Sequence, residues 1–193
     1  MRKIVFAALL AGTVAAPAMA QNNAPFTGPR IEGIVGWDRG QIEDAGHEDG
    51  VVYGVGVGYD VQMGGGVAGI EAEITDSSAD VCDNDVFVAD DRLCVGAKRD
   101  IYVGGRFGAI VGANTLLYGK AGYTNARFGY DYDDGGDGSD DYGDGQNLDG
   151  VRVGAGLEHA LSQNSFLKAE YRYSNYEQGV EKHQAVAGFG FRF

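Results

Sequence analysis

The sequence predicts an all-β fold: an eight-stranded antiparallel up-and-down barrel that crosses a membrane and has a filled polar lumen. Three observations predict it. Stretches in which apolar residues alternate with small or polar ones recur eight times, at the period of 2 with which side chains on a strand change face. The connections between these stretches are short and long in turn. Nothing after residue 20 is an uncharged run long enough for a membrane-crossing helix, so a membrane location demands a closed barrel, which also satisfies every backbone group without water. The composition agrees, since 33 Gly, 11 Tyr and 9 Phe against 3 Pro suit strands with aromatic girdles.

Residues 1–20 read as a signal peptide. Arg2 and Lys3 precede an apolar stretch over residues 4–16, and Ala18-Met19-Ala20 supplies a small-x-small cleavage site. That stretch is too short to span a bilayer as a helix. The barrel domain is then expected over residues 21–193, leaving no sequence for a periplasmic peptidoglycan-binding module.

The first alternating segment sets Ile31, Gly33, Val35 and Trp37 against Arg30, Glu32, Ile34, Gly36 and Asp38. The second opposes Val51, Tyr53, Val55, Val57 and Tyr59 to Val52, Gly54, Gly56, Gly58 and Asp60. After a glycine-rich turn at residues 63–66, the third opposes Ala68, Ile70, Ala72 and Ile74 to Gly69, Glu71, Glu73 and Thr75. The fourth sets Ile101, Val103, Gly105 and Phe107 against Asp100, Tyr102, Gly104, Arg106 and Gly108. In the fifth, Leu117, Ala121 and Tyr123 oppose Tyr118, Lys120 and Thr124. The sixth sets Val151, Val153, Ala155 and Leu157 against Arg152, Gly154, Gly156 and Glu158, and the seventh Leu167, Ala169, Tyr171 and Tyr173 against Lys168, Glu170, Arg172 and Ser174. The last runs from His183 to Phe193, with Ala185, Ala187, Phe189, Phe191 and Phe193 on one face and Gln184, Val186, Gly188, Gly190 and Arg192 on the other. Each segment is near the roughly 9 to 11 residues that a tilted strand needs to cross.

Short connections near residues 61–66, 110–114 and 161–165 belong on the periplasmic side of such a barrel, and the long ones outside. The outer loops are expected at residues 39–50, 76–98, 129–149 and 175–182, with 20 acids against 4 bases, a charge of −16. Without residues 1–20 the chain carries −15, so the remainder is close to neutral. So acidic an outer surface repels phosphate and argues against nucleic acid as a partner.

The polar faces carry both signs: Glu32, Glu71, Glu73, Asp100, Glu158 and Glu170 against Arg106, Lys120, Arg152, Lys168, Arg172 and Arg192. An eight-stranded barrel leaves room inside only for side chains, and an unpaired buried charge is very costly. These twelve therefore read as a packed lumenal salt-bridge network, the competing reading being an open ion pathway.

Cys82 and Cys94, both in the second outer loop, are the only cysteines. In an oxidising compartment they suit a disulfide that closes a ring of about 13 residues and stabilises the loop by roughly 3 kcal/mol. The third loop contains Gly135-Gly136-Asp137-Gly138-Ser139-Asp140, one copy of a calcium-binding unit that works in stacked repeats. Asp137, Asp140 and Asp141 are weak metal candidates; specific calcium binding, loose cation association and a solvated acidic flap remain open. Ser174, His183 and Glu177 lie near one rim and are the one arrangement that suggests a hydrolytic triad, but no nucleophile motif surrounds Ser174. No catalytic residue and no cofactor is expected.

The alternating aromatics that end in Phe189-Gly190-Phe191-Arg192-Phe193, with the signal peptide and the loop pattern, resemble the small outer-membrane barrels of the OmpA transmembrane-domain and opacity-protein superfamily, often labelled porin-family proteins. The resemblance implies an outer-membrane, cell-surface location in contact with membrane lipid, and the acidic loops are candidates to join lipopolysaccharide phosphates through bridging divalent cations. It also implies recognition of Phe189, Phe191 and Phe193 by the barrel-assembly machinery. The expected role is structural or surface-interacting, in envelope integrity or adhesion. A small pore for limited permeation is the alternative, and a lipid-modifying enzyme a more distant one.

Overall fold

The computed structural model describes residues 25–42, 46–78, 80–84, 92–133 and 142–193. The expected signal peptide and Asp137, Asp140 and Asp141 lie outside these. Among the described residues nine strands follow in order: β1 (Gly28–Ile42), β2 (Gly46–Met63), β3 (Gly66–Ser77), β4 (Asp80–Asn84), β5 (Arg92–Val111), β6 (Thr115–Asp133), β7 (Tyr142–Ala160), β8 (Ser165–Tyr176) and β9 (Val180–Arg192). All pairings are antiparallel; β1 pairs with both β2 and β9, and β3 with both β2 and β5, so the sheet closes. Eight strands make the wall. β4 pairs only with the upper part of β5 and stands beyond it.

The barrel strands run from 12 to 20 residues, longer than the alternation alone indicates. Three of the expected outer loops are largely paired backbone: β1 and β2 pair up to Ile42↔Gly46, β6 and β7 up to Tyr132↔Tyr142, and β8 and β9 up to Asn175↔Glu181. The second contains β4. Backbone ladders continue above the apolar band because hydrogen bonding does not depend on greasy side chains, whereas the alternating pattern ends where the lipid does.

The short connections tighten to residues 64–65, 112–114 and 161–164. Gly64 and Gly112 have φ of +62° and +73°, where glycine carries no steric penalty. The long connections gather at the opposite end, so each strand has a short-turn end and a long-loop end.

The two faces separate as the alternation requires. Ile70, Val103, Phe107, Val151, Tyr171 and Phe191 are exposed on the outside of the wall, while Arg30, Glu71, Arg106, Lys120, Arg152 and Glu170 are buried within. Glycines make space for these long side chains. At Gly122 a methyl group would run into the backbone of Val103 and Gly104 and the ring of Tyr102, whereas at outward-facing Gly33 it would meet nothing. Gly122→Ala is therefore expected to destabilise the barrel by about 1–3 kcal/mol through overpacking, and Gly33→Ala to leave it within about 0.5 kcal/mol of the parent. Urea unfolding in detergent, followed by the shift between folded and boiled gel mobility, checks both.

Candidate functional site

Alternation turns alternate residues of all eight wall strands towards one axis, and these charged side chains form the candidate site. Among the described residues, eight acids and eight bases are buried there: Glu32, Asp38, Asp60, Glu71, Glu73, Asp100, Glu158 and Glu170 against Arg30, Arg106, Lys120, Arg152, Lys168, Arg172, Lys182 and Arg192. The formal charges of these sixteen cancel.

Near the short-turn end, Asp60 receives three guanidiniums, from Arg30 (3.1 Å), Arg106 (2.6 Å) and Arg192 (2.8 Å). Glu158 accepts a hydrogen bond from Arg106 and forms an ion pair with Arg192, each at 2.9 Å. Arg30 also pairs with Glu71 and, at 2.9 Å, with Glu32, which links this layer to the next. In the middle layer the Lys120 ammonium lies 2.9–3.0 Å from Glu71, Glu73 and Glu170. Lys168 Nζ is 2.7 Å from Glu32, and Arg172 joins Glu73 (3.0 Å) to Glu170 (2.7 Å). Above these, Asp100 accepts from Arg152, from the Thr124 hydroxyl (2.7 Å) and from the Tyr176 hydroxyl (2.7 Å). The outermost pair is Lys182 with Asp38, at 2.9 Å.

Aromatic rings and apolar side chains fill what the charges leave. Lys120 lies 4.5 Å over the Tyr102 ring and Arg106 5.0 Å over Tyr118, whose hydroxyl donates to Glu170 at 2.6 Å. The short-turn mouth is covered by Phe26, packed with Val67, Leu116 and Tyr118, and Arg192 donates to the Pro25 carbonyl beside it. Towards the long-loop end, Ile34, Val52 and Val186 form one apolar cluster, and Ala126, Leu148 and Tyr176 another. The ion pairs thus lie between apolar layers. Such an arrangement holds the charges in fixed positions.

All twelve charged residues singled out in the sequence lie in this lumen. Four more belong with them. Arg30, Asp38 and Asp60 were legible, for each sits on the polar face of its segment. Lys182 falls within an expected outer loop, yet β9 begins at Val180 and turns it inward; carrying the alternation from Gln184 back by one step finds it.

The hydrolytic arrangement does not assemble. Ser174 is buried and its hydroxyl accepts from Arg152 Nε at 2.8 Å. His183 pairs instead with the hydroxyl of outward-facing Tyr171, 2.8 Å away. The two lie on opposite faces of the wall, because a one-residue difference in strand parity reverses the side. Backbone pairing sets Cys82 opposite Cys94 across β4 and β5; their side chains are outside what is described. Phe189, Phe191 and Phe193 are exposed on the outer wall, the first two edge to face at 5.2 Å. At the long-loop edge the outer wall carries hydrogen-bonded aromatics: Arg39 lies 4.7 Å over the Trp37 ring, Tyr173 donates to Glu181, and Tyr123 donates to Asp149.

A family model described as outer membrane protein beta-barrel domain matches residues 6–193. No curated protein matches the sequence. Among solved structures, the Neisserial surface protein A (NspA) is similar at 17% identity and a TM-score of 0.59, over 86% of this chain and 98% of that one. The attachment invasion locus protein Ail of Yersinia pestis aligns at 17% identity and 0.56, over 86% and 99%. The N-terminal β-barrel domain of Pseudomonas aeruginosa OprF aligns at 18% and 0.54, over 87% and 99%. At these identities the likeness is one of fold.

Removing one partner of a buried pair leaves an uncompensated charge and costs about 3–5 kcal/mol, whereas replacing both by apolar groups is close to neutral. Lys182→Met alone is expected to destabilise by that amount, and Asp38→Leu with Lys182→Met to recover most of it. Asp60→Asn, which withdraws the shared anion from three guanidiniums, should be at least as damaging as Lys182→Met. Urea midpoints of the folded band in detergent, arranged as a double-mutant cycle, test all three.

Proposed function

We infer the role of this chain from its family and its charge: it belongs to the outer-membrane protein β-barrel family, resides in the outer membrane of a Gram-negative cell, and acts there as a structural and surface-interaction barrel. One observation carries this reading, the matching of eight buried acids by eight buried bases among the described residues, which suits a sealed strut and not a conduit. A pore needs mobile water and a charge bias along its path; a lumen whose cations and anions neutralise one another offers neither.

The long-loop end faces outward, as is usual for barrels of this kind. With Lys182 assigned to the lumen, the connections at that end carry 20 acids and 3 bases. Divalent cations bridge these carboxylates to lipopolysaccharide phosphates, a contact that ties the barrel to its neighbours and serves envelope integrity or adhesion. The exposed row of Phe189, Phe191 and Phe193 offers the barrel-assembly machinery its handle. Cys82 and Cys94 form a disulfide across the outer hairpin; directly opposed antiparallel residues have Cα atoms about 4.5–5.5 Å apart, within the span a disulfide bridges.

Two measurements test these assignments. Purified protein in planar bilayers is expected to give no steady single-channel conductance; a sustained ohmic current from the monomer would favour the small-pore reading and overturn this one. Alkylation of the unfolded, unreduced protein is expected to label neither cysteine, and to label both after reduction. Labelling without reductant would remove the disulfide.

A further inference from the structure

We propose that the outer wall carries a direct binding site for the phosphate of an outer-leaflet glycolipid, at Arg99 on the β5 bulge. The charge distribution isolates this residue. Once the eight lumenal bases are matched by the eight lumenal acids, every other acid after residue 20 lies in the expected outer connections, and the only bases left on the wall outside those connections are Arg99 and Arg127. Backbone pairing sets them against each other, with the Arg127 guanidinium leaning over Gly145 of the next strand. The β5–β6 register shifts between Ala97 and Asp100, which pair with Phe128 and Ala126, so Lys98 and Arg99 together oppose Arg127. A bulge of this kind re-aims a side chain.

Asp100 and Ala126 are buried in the lumen, so Arg99 and Arg127, one step along, belong to the outer face. Arg99 there lines a shallow recess with Tyr53, Val55, Ile74 and Asp76. Its Nε is buried without a hydrogen-bond partner, and among the described residues no ion pair reaches it. Asp76 shares the recess, but its carboxylate accepts the Ser77 amide at 2.9 Å. Arg39, by contrast, is already held by Asp49 at 2.7 Å. An arginine left without its anion, with Val55 and Ile74 below it and a tyrosine beside it, fits a molecule that has a phosphate above and an acyl chain below. Guanidinium binds phosphate through paired, charge-assisted hydrogen bonds. The site faces the leaflet that the preceding reading assigns to lipopolysaccharide, and it rests on that reading for its orientation. It differs in mechanism, since it needs no bridging metal.

The test is native mass spectrometry of the full chain in detergent, in parallel series with EDTA and with magnesium, after incubation with bis-phosphorylated lipid A, with dephosphorylated lipid A, or with phosphatidylglycerol; the expectations that follow are for the EDTA series. The parent protein is expected to retain phosphorylated lipid A. Arg99→Gln with Arg127→Gln should lower the retained fraction about tenfold, equivalent to about 1.4 kcal/mol, and Arg39→Gln should change it less than twofold. Each variant is first shown to keep its heat-dependent gel shift, so that a lost barrel is distinguished from a lost site. Equal retention by the Arg99/Arg127 variant, or equal retention of dephosphorylated lipid A, would overturn the proposal. Equal retention of phosphatidylglycerol would overturn the assignment to a glycolipid. Retention that vanishes in EDTA but returns with magnesium would return the contact to the acidic loops and sink the direct site, leaving the outer-surface reading intact.

Discussion

Closure of eight strands leaves a lumen too narrow for anything but side chains, and that one constraint governs the rest of the molecule. Because wall residues alternate between lipid and lumen, half of each strand must be apolar and the other half must fill a space without bulk water. Charges placed there have to answer one another. They do so in shared arrangements, with one carboxylate at Asp60 serving three guanidiniums and one ammonium at Lys120 serving three carboxylates. Sharing of this kind cross-links strands far apart in sequence: Lys168 on β8 to Glu32 on β1, and Arg106 on β5 to Glu158 on β7. Buried ion pairs add little net stability over apolar packing, but they penalise any register other than the one that joins them.

The same constraint sorts charge by location. A lumen that must be neutral cannot hold the chain's excess acid, and a lipid-facing surface cannot either. Twenty of the 28 acids accordingly fall in residues 39–50, 76–98, 129–149 and 175–182, outside the lumenal faces. The paired charges inside and the excess of acid in the sequence between the wall strands are two consequences of one rule about where charge can sit.

Much of the fold was legible in the sequence. The eight wall strands, their inward and outward faces, and the alternation of short and long connections follow from period-2 patterning, which a barrel in lipid cannot relax. The resemblance to the OmpA-like and opacity barrels, drawn from the terminal aromatics and the loop pattern, agrees with the family match. The strand ends were not legible. Ladders continue to Ile42↔Gly46 and Tyr132↔Tyr142, where no apolar alternation marks them, and β4 lies within a stretch that reads as polar loop. Lys182 was mistaken for a rim residue for this reason. The proximity of Ser174 and His183 in sequence was similarly misleading, since parity puts them on opposite sides of the wall.

What the sequence determined by itself was which side chains face which solvent, because that depends only on odd or even position along an extended chain. What the tertiary structure alone decided was who meets whom across the lumen. Those partners come from strands as distant as β1 and β8, and their meeting depends on strand stagger and closure, which local periodicity does not encode. The bulge at residues 98–99 belongs to the same category: it is a mismatch between two strands, and neither strand contains it alone.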